Sequence, residues 1–101
     1  MKNSYIVYIL TNKYNDVLYV GCTNNLARRM TEHKTGRYKG FSWKYNVSKM
    51  VYYEFQESAD KMLKRERRLK NWNRDWKIEL INNFNPSWAD LSQEFLIENV
   101  K

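Results

Sequence analysis

Residues 19–33 read YVGCTNNLARRMTEH, and the fold turns on how this stretch divides. Its first part, Tyr19-Val20-Gly21, closes an apolar run that begins at Val17. A short run of β-branched and aromatic residues ending at a glycine predicts a strand. The second part changes period. Leu26, Met30 and His33 share one face of a helix, and Thr23 or Asn24 supplies the side-chain oxygen that caps it. The helix is expected to run to about Lys34, with Gly36 as its stop. A strand therefore hands over at once to a helix carrying Arg29 one turn before His33, the chain's single histidine.

Upstream, Tyr5–Leu10 (YIVYIL) is apolar on both alternating faces, the pattern of an inner strand covered on both sides. Thr11–Asp16 (TNKYND) is polar and rich in Asn and Asp, a turn. The two runs thus form an antiparallel hairpin. Any odd register constant puts Tyr8 and Tyr19 on the same face, and a two-residue turn centred on Lys13-Tyr14 sets them directly opposite. Downstream, residues 37–48 lack a clear period and read as a loop. Met50–Phe55 is a third strand. Ser58 caps a helix from Ala59 to about Asn71. Another helix runs from about Arg74 to Asn83, with Trp76, Leu80 and either Ile81 or Phe84 on its apolar stripe, and Asn85-Pro86 stops it. Pro86 is placed to open a short last helix bearing Trp88, Leu91 and Phe95. The order β-β-α-β-α-α predicts an α+β domain: a three-stranded antiparallel sheet with flanking helices. Residues 1–88 form the expected domain, and 89–101 a C-terminal extension, helical or frayed.

Charge narrows the function. The chain of 101 residues carries a net charge of +7, and residues 28–77 alone carry +9, with fifteen Lys or Arg against six Asp or Glu. So concentrated a positive field attracts a polyanion, of which nucleic acid is the commonest. One cysteine excludes an internal disulfide and a thiolate metal cage. No apolar run reaches the ~20 residues of a membrane-spanning helix, and no cleavage site follows Ile6–Leu10, so the cytoplasm is the expected compartment and no membrane partner is expected. Nothing in the sequence implies an obligate protein partner.

The helix from Ala59 carries Met62, Leu63 and Leu69 at core spacing, and Glu66 falls on the same face. A carboxylate on an inward face is costly unless it is paired or holds a metal. Taken singly, each candidate has an ordinary explanation: Glu66 paired with a nearby arginine, His33 in the core, Arg29 snorkelling, two buried tyrosines. Taken together, two phenols, a guanidinium, an imidazole and a carboxylate converging on one sheet surface suit phosphodiester hydrolysis. A hard divalent ion that keeps most of its waters needs as little as one protein carboxylate. A phenol or imidazole accepts a proton from water, and a guanidinium offsets charge on the phosphate.

The chain resembles the GIY-YIG nuclease superfamily, especially small stand-alone bacterial members related to the incision subunit of nucleotide-excision repair. Ile6-Val7-Tyr8 and Tyr19-Val20-Gly21 correspond to the two motif halves, Arg29 follows Gly21 by eight residues and His33 by twelve, and Glu66 lies in LKRERRLKNW on the helix after the third strand. The resemblance implies a DNA endonuclease acting on structured or damaged DNA. In it Glu66 ligates Mg2+ or Mn2+, Tyr8 acts as general base with Tyr19 orienting water and phosphate (or the two exchanged), Arg29 stabilises the phosphate, and His33 assists in positioning or proton transfer. Two departures stand out. Ile6 replaces the first glycine of the motif, and a late asparagine expected near the site has five candidates, Asn71, Asn73, Asn82, Asn83 and Asn85, among which spacing does not choose.

The expected nucleic-acid contacts are Gly21, where a strand end beside a phosphate gains from having no side chain, and Arg28, Arg65, Arg68 and Lys70 as backbone grips. Lys39, Trp43 and Lys44 join them from a loop that interleaves cations with stacking aromatics. Such contacts serve RNA as well as DNA. A binding module that keeps the fold without chemistry is the alternative reading.

Overall fold

The computed structural model describes residues 4–35 and 47–92, with the side chains of residues 33–35 outside that description. The element order is β1 (Tyr5–Thr11), β2 (Leu18–Thr23), α1 (Leu26–Thr35), β3 (Lys49–Gln56), α2 (Ala59–Asn71) and α3 (Arg74–Phe84). The sheet is antiparallel with strand order β2-β1-β3. The α+β class and the order read from the sequence both hold. The expected loop over residues 37–48, including Lys39, Trp43 and Lys44, falls largely outside the described residues, as do the helix stop at Gly36 and the end of the extension from Gln93.

β1 is central because YIVYIL has two apolar faces, and Ile6 through Thr11 are all buried. Each face feeds its own core. Val7 and Ile9 join Val20, Val51 and Tyr52 beneath Met62 and Leu69 of α2 and Ile81 of α3. Ile6, Tyr8 and Leu10 join Met50 beneath Leu26 and Met30 of α1. Helices therefore cover the sheet on both sides. Ile6, where the family motif has glycine, is 3% exposed and fills the α1-side core.

The hairpin register differs from the expected one. Tyr8 pairs with Gly21 and Leu10 with Tyr19, so paired numbers sum to 29 and the turn centres on Tyr14-Asn15. Asn15 adopts φ 59°, and its amide donates to the Asn12 carbonyl at 3.1 Å. Asn tolerates that left-handed conformation, which a turn at Lys13-Tyr14 would have required of bulkier residues. β2 also runs two residues beyond Gly21, because Cys22 and Thr23 continue the ladder opposite Val7 and Ile6. The helix cap moves accordingly. The Asn25 side chain accepts from the Arg28 amide at 3.1 Å, while Thr23 Oγ1 accepts from the Asn25 amide at 3.0 Å.

α2 begins at Ser58 as expected, its side chain accepting from the Lys61 amide. Its buried stripe is narrower than expected: Met62 and Leu69 are buried, whereas Leu63 is 49% exposed. On α3 the buried residue is Ile81, and Trp76 stands 54% exposed. A bidentate Arg65–Glu54 pair, with Nε to Oε2 at 2.8 Å, ties α2 to β3, and Tyr52 donates its hydroxyl to the same carboxylate at 2.6 Å. Burial first, then Glu54, holds the Tyr52 phenol well above its ordinary range.

No helix starts at Pro86. Residues 86–87 form a turn, Trp88 takes φ 56°, and Trp88 and Leu91 pack on opposite cores. The segment instead straps the sheet. β3 bulges where Ile9 pairs with Tyr52 but Leu10 with Met50. Asn85 donates to the Val51 carbonyl at 3.1 Å and the Ala89 carbonyl at 2.9 Å. Asp90 accepts from the Met50 amide at 3.0 Å, and the Leu91 amide donates to the Met50 carbonyl at 2.7 Å. Asn85 is 7% exposed, so Asn85→Ala strands buried acceptors and is expected to cost about 2–3 kcal/mol, a fall in Tm of roughly 10 °C or more. Thermal denaturation followed by circular dichroism checks it.

Candidate active site

Tyr8 and Tyr19 share the α1 side of the sheet, as neighbours on a diagonal across the β1–β2 pair. Tyr8 is fully buried and Tyr19 half-buried. Gly21, opposite Tyr8, is what lets the ring lie down. A Cβ at position 21 would stand 2.5 Å from the Tyr8 hydroxyl oxygen and 2.6 Å from Cζ. Gly21 is therefore buried inside a strand, under a phenol. The expectation that it ends the strand against a phosphate is corrected by the two further residue pairs of β2.

Glu66 approaches from the other side. It shares the inward stripe of α2 with Met62 and Leu69, and its side chain is 20% exposed. Its neighbour on the sheet is Cys22, whose position on β2 matches that of Val20 and puts it on the α2 side. Burial first, then the Glu66 carboxylate to which the thiol is hydrogen-bonded, pushes the Cys22 thiol up to about 11, while Lys70 and Arg29 pull it down. Such a thiol is protonated and inert at neutral pH, which argues against Cys22 as a nucleophile.

The expected convergence on a single sheet surface is therefore corrected. The phenols lie on one face and the carboxylate on the other, and β2 is an edge strand between them. At that edge the Cys22 thiol is hydrogen-bonded to Glu66 of α2 and lies within the weaker electrostatic reach of Arg29 of α1. Arg29, with its side chain 24% exposed, lies 3.3 Å from Glu32 at Nε. Glu32 escaped the sequence reading, although its spacing of three from Arg29 and four from Arg28 marks it as their counter-charge. The backbone of His33 lies on α1, and its side chain is outside the described residues.

The expected gripping residues divide. Arg28 and Arg68 are exposed. Arg65 is spent on Glu54, with its guanidinium 5.3 Å over the Trp72 ring, which removes it from the grip expected of it. Lys70 Nζ lies 3.2 Å from Glu66 Oε2. Among the late asparagines, Asn73 caps α3, Asn82 accepts from the Trp88 indole at 2.6 Å, and Asn85 holds the bulge, each for a structural reason.

The donor set suits a hard, largely hydrated cation. Glu66 is a single half-buried carboxylate, and among the described residues no three His, Cys, Asp or Glu side chains gather as a cage. Among those residues no helix is long and apolar enough to cross a membrane.

A helix-covered antiparallel sheet with two tyrosines on its hairpin, an arginine on α1 and a glutamate on α2 defines a small nuclease domain. The chain belongs to the GIY-YIG family, whose catalytic domain matches residues 4–79. It is 37% identical over 76 residues to a UPF0213 protein of Clostridium perfringens, covering 75% of this chain and 81% of that one. A UPF0213 protein of Syntrophus aciditrophicus is 38% identical over 79 residues, 74% of this chain and 86% of that one. The human structure-specific endonuclease subunit SLX1 is 45% identical over 40 residues, 40% of this chain but 14% of that protein. No solved structure gives a match. The family is one of nucleases, and nucleic acid is the partner it implies.

Proposed function

We propose that the chain is a divalent-metal-dependent endonuclease that hydrolyses phosphodiester bonds in structured or damaged DNA in the cytoplasm. Residues 1–88 form the nuclease domain, and 89–101 an extension whose first residues strap β3. The observation that carries this reading is the match of residues 4–79 to the GIY-YIG catalytic domain, with Tyr8 and Tyr19 neighbours on one face of the hairpin and Glu66 on the inward stripe of α2 beside the edge strand. The human relative's name, a structure-specific endonuclease subunit, supports it.

Glu66 would hold Mg2+ or Mn2+, which would supply positive charge to offset that of the phosphate. Arg29 binds a non-bridging oxygen of the same phosphate, and Glu32 keeps the guanidinium aimed. Tyr8 accepts the proton of the attacking water, Tyr19 orients that water and the phosphate, and His33 assists the transfer. Water oxygen bonds to phosphorus as the P–O3′ bond breaks and the departing O3′ takes a proton from solvent, leaving a 5′-phosphate and a 3′-hydroxyl. Tyr19, the more exposed phenol, is the alternative base, with Tyr8 then orienting the water. Arg28 and Arg68 grip the backbone, with Lys39, Trp43 and Lys44 of the loop assisting. The test is nicking of flapped, branched and mismatched DNA, beside matching RNA, with and without EDTA. Nicks that carry 5′-phosphates and vanish with EDTA support the reading, and cleavage indifferent to EDTA overturns it.

A binding module for DNA or RNA without chemistry is the second reading, favoured by the Lys70 ammonium on Glu66. The two part on one variant. An exposed ion pair of this kind contributes at most about 1 kcal/mol, so in a nuclease Lys70→Met lowers the Mg2+ concentration for half-maximal nicking about two- to fivefold. In the binding module neither protein nicks at any Mg2+ concentration.

A further inference from the structure

Trp72 and Trp76 meet edge to face, with ring centroids 5.9 Å apart and planes at 89°. They wall one corner of a cavity of about 360 Å3 whose remaining lining is Glu79, Leu80 and Asn83. That size is at the small end of ligand pockets. Positions 76, 79, 80 and 83 are one face of α3, and it is not the face that buries Ile81. Trp72 is a fixed wall, packed against the core beneath α2 and capped by the Arg65 guanidinium 5.3 Å from its ring. Trp76 is not fixed by the core and stands 54% exposed, an indole face open to solvent beside a rigid one.

We propose that this corner binds one unpaired base of the DNA strand. A right-angled pair of indoles accepts a planar ring, its face on one and its edge against the other. Glu79 accepts N–H bonds from an exocyclic amine, and the Asn83 amide both donates and accepts, which suits a base bearing an amino group. The surroundings fit a polyanion: residues 61–77 hold eight Lys or Arg and two Asp or Glu. Trp72, the residue that caps the end of α2, stands six positions beyond Glu66, about 9 Å of helix rise. The two positions stand about 120° apart around the helix, so a base bound in the corner lies a few nucleotides from a phosphate at Glu66. The inference rests on the nuclease reading for that last placement, and gives it a substrate preference: DNA with a base out of the stack near the cut.

The test uses the full chain in EDTA, so that nothing is cut, and three labelled duplexes: fully paired, bulged by two cytosines, and bulged by two abasic sites. Fluorescence anisotropy is expected to give the cytosine bulge about a five- to hundredfold tighter Kd than the abasic bulge. Trp76→Ala removes that difference and Trp76→Phe keeps most of it. Because Trp76 is exposed, circular dichroism should show both variants folded. A cytosine preference that survives Trp76→Ala, or that is absent from the unmodified chain, overturns the proposal. Nicking of the bulged duplex in Mg2+ is read separately. A chain that shows the Trp76-dependent preference but never nicks sinks the nuclease reading and leaves the corner standing. One that nicks without the preference does the reverse.

Discussion

Glu66→Ala is expected to lower metal-dependent nicking by about a thousandfold or more, a loss of roughly 4 kcal/mol in transition-state stabilisation. Among the described residues no group of three His, Cys, Asp or Glu side chains stands by to hold the ion in its place. The fold should barely notice. The side chain bonds the Cys22 thiol and an exposed Lys70, and neither leaves a buried charge behind when Glu66 is gone. DNA affinity without metal should hold or tighten slightly, because a negative charge leaves a basic surface and Lys70 is freed to meet phosphate. Glu66→Gln is the finer variant, since its amide oxygen still accepts from the thiol while it is a poor ligand for a hard cation. Single-turnover nicking, Tm and metal-free anisotropy on the same preparations separate these effects. Equal loss of binding and nicking would count against a catalytic role.

Gly21→Ala is the second large effect, and its cause is steric. The added methyl would sit 2.5–2.8 Å from three atoms of the Tyr8 side chain. The ring cannot swing aside into water, because Tyr8 is fully buried among Leu26, Met30 and Met50. Overpacking of this kind costs about 1–3 kcal/mol. Displacing the phenol by about 1 Å is expected to cost about a hundredfold in nicking. A double-variant cycle isolates the cause. In a Tyr8→Leu background the ring is gone, and the stability cost of Gly21→Ala should fall to a few tenths of a kcal/mol. If the cost persists undiminished there, Gly21 serves something other than the phenol.

The two halves of the fold differ in how legible they are from sequence. YIVYIL announces a strand covered on both faces, and Ser58 followed by a helix-period run announces α2, because both signals are local. The Tyr8–Tyr19 shared face follows from parity alone and holds even though the turn sits one residue later than expected. Two things are not local. Which helix covers which face depends on the crossover from β2 to β3, so the sequence could not say that Glu66 lies beneath the sheet while the phenols lie above it. The partners of single residues are equally hidden. Nothing in LKRERRLKNW says that Arg65 reaches eleven residues back to Glu54 while Arg68 stays in water. Asn85 looks like any helix-stopping asparagine until the bulge at Met50–Tyr52 supplies a carbonyl for it to bind. Glu32 is legible by its spacing from two arginines, but spacing alone does not separate a counter-charge near a site from an ordinary surface pair.

The most direct measurement is anomalous diffraction from crystals grown in Mn2+. The account predicts one manganese peak about 2.1–2.3 Å from a Glu66 carboxylate oxygen, with Lys70 swung off that carboxylate. An intact Lys70–Glu66 pair at saturating Mn2+, in a protein that nicks DNA, or a manganese peak elsewhere, contradicts it.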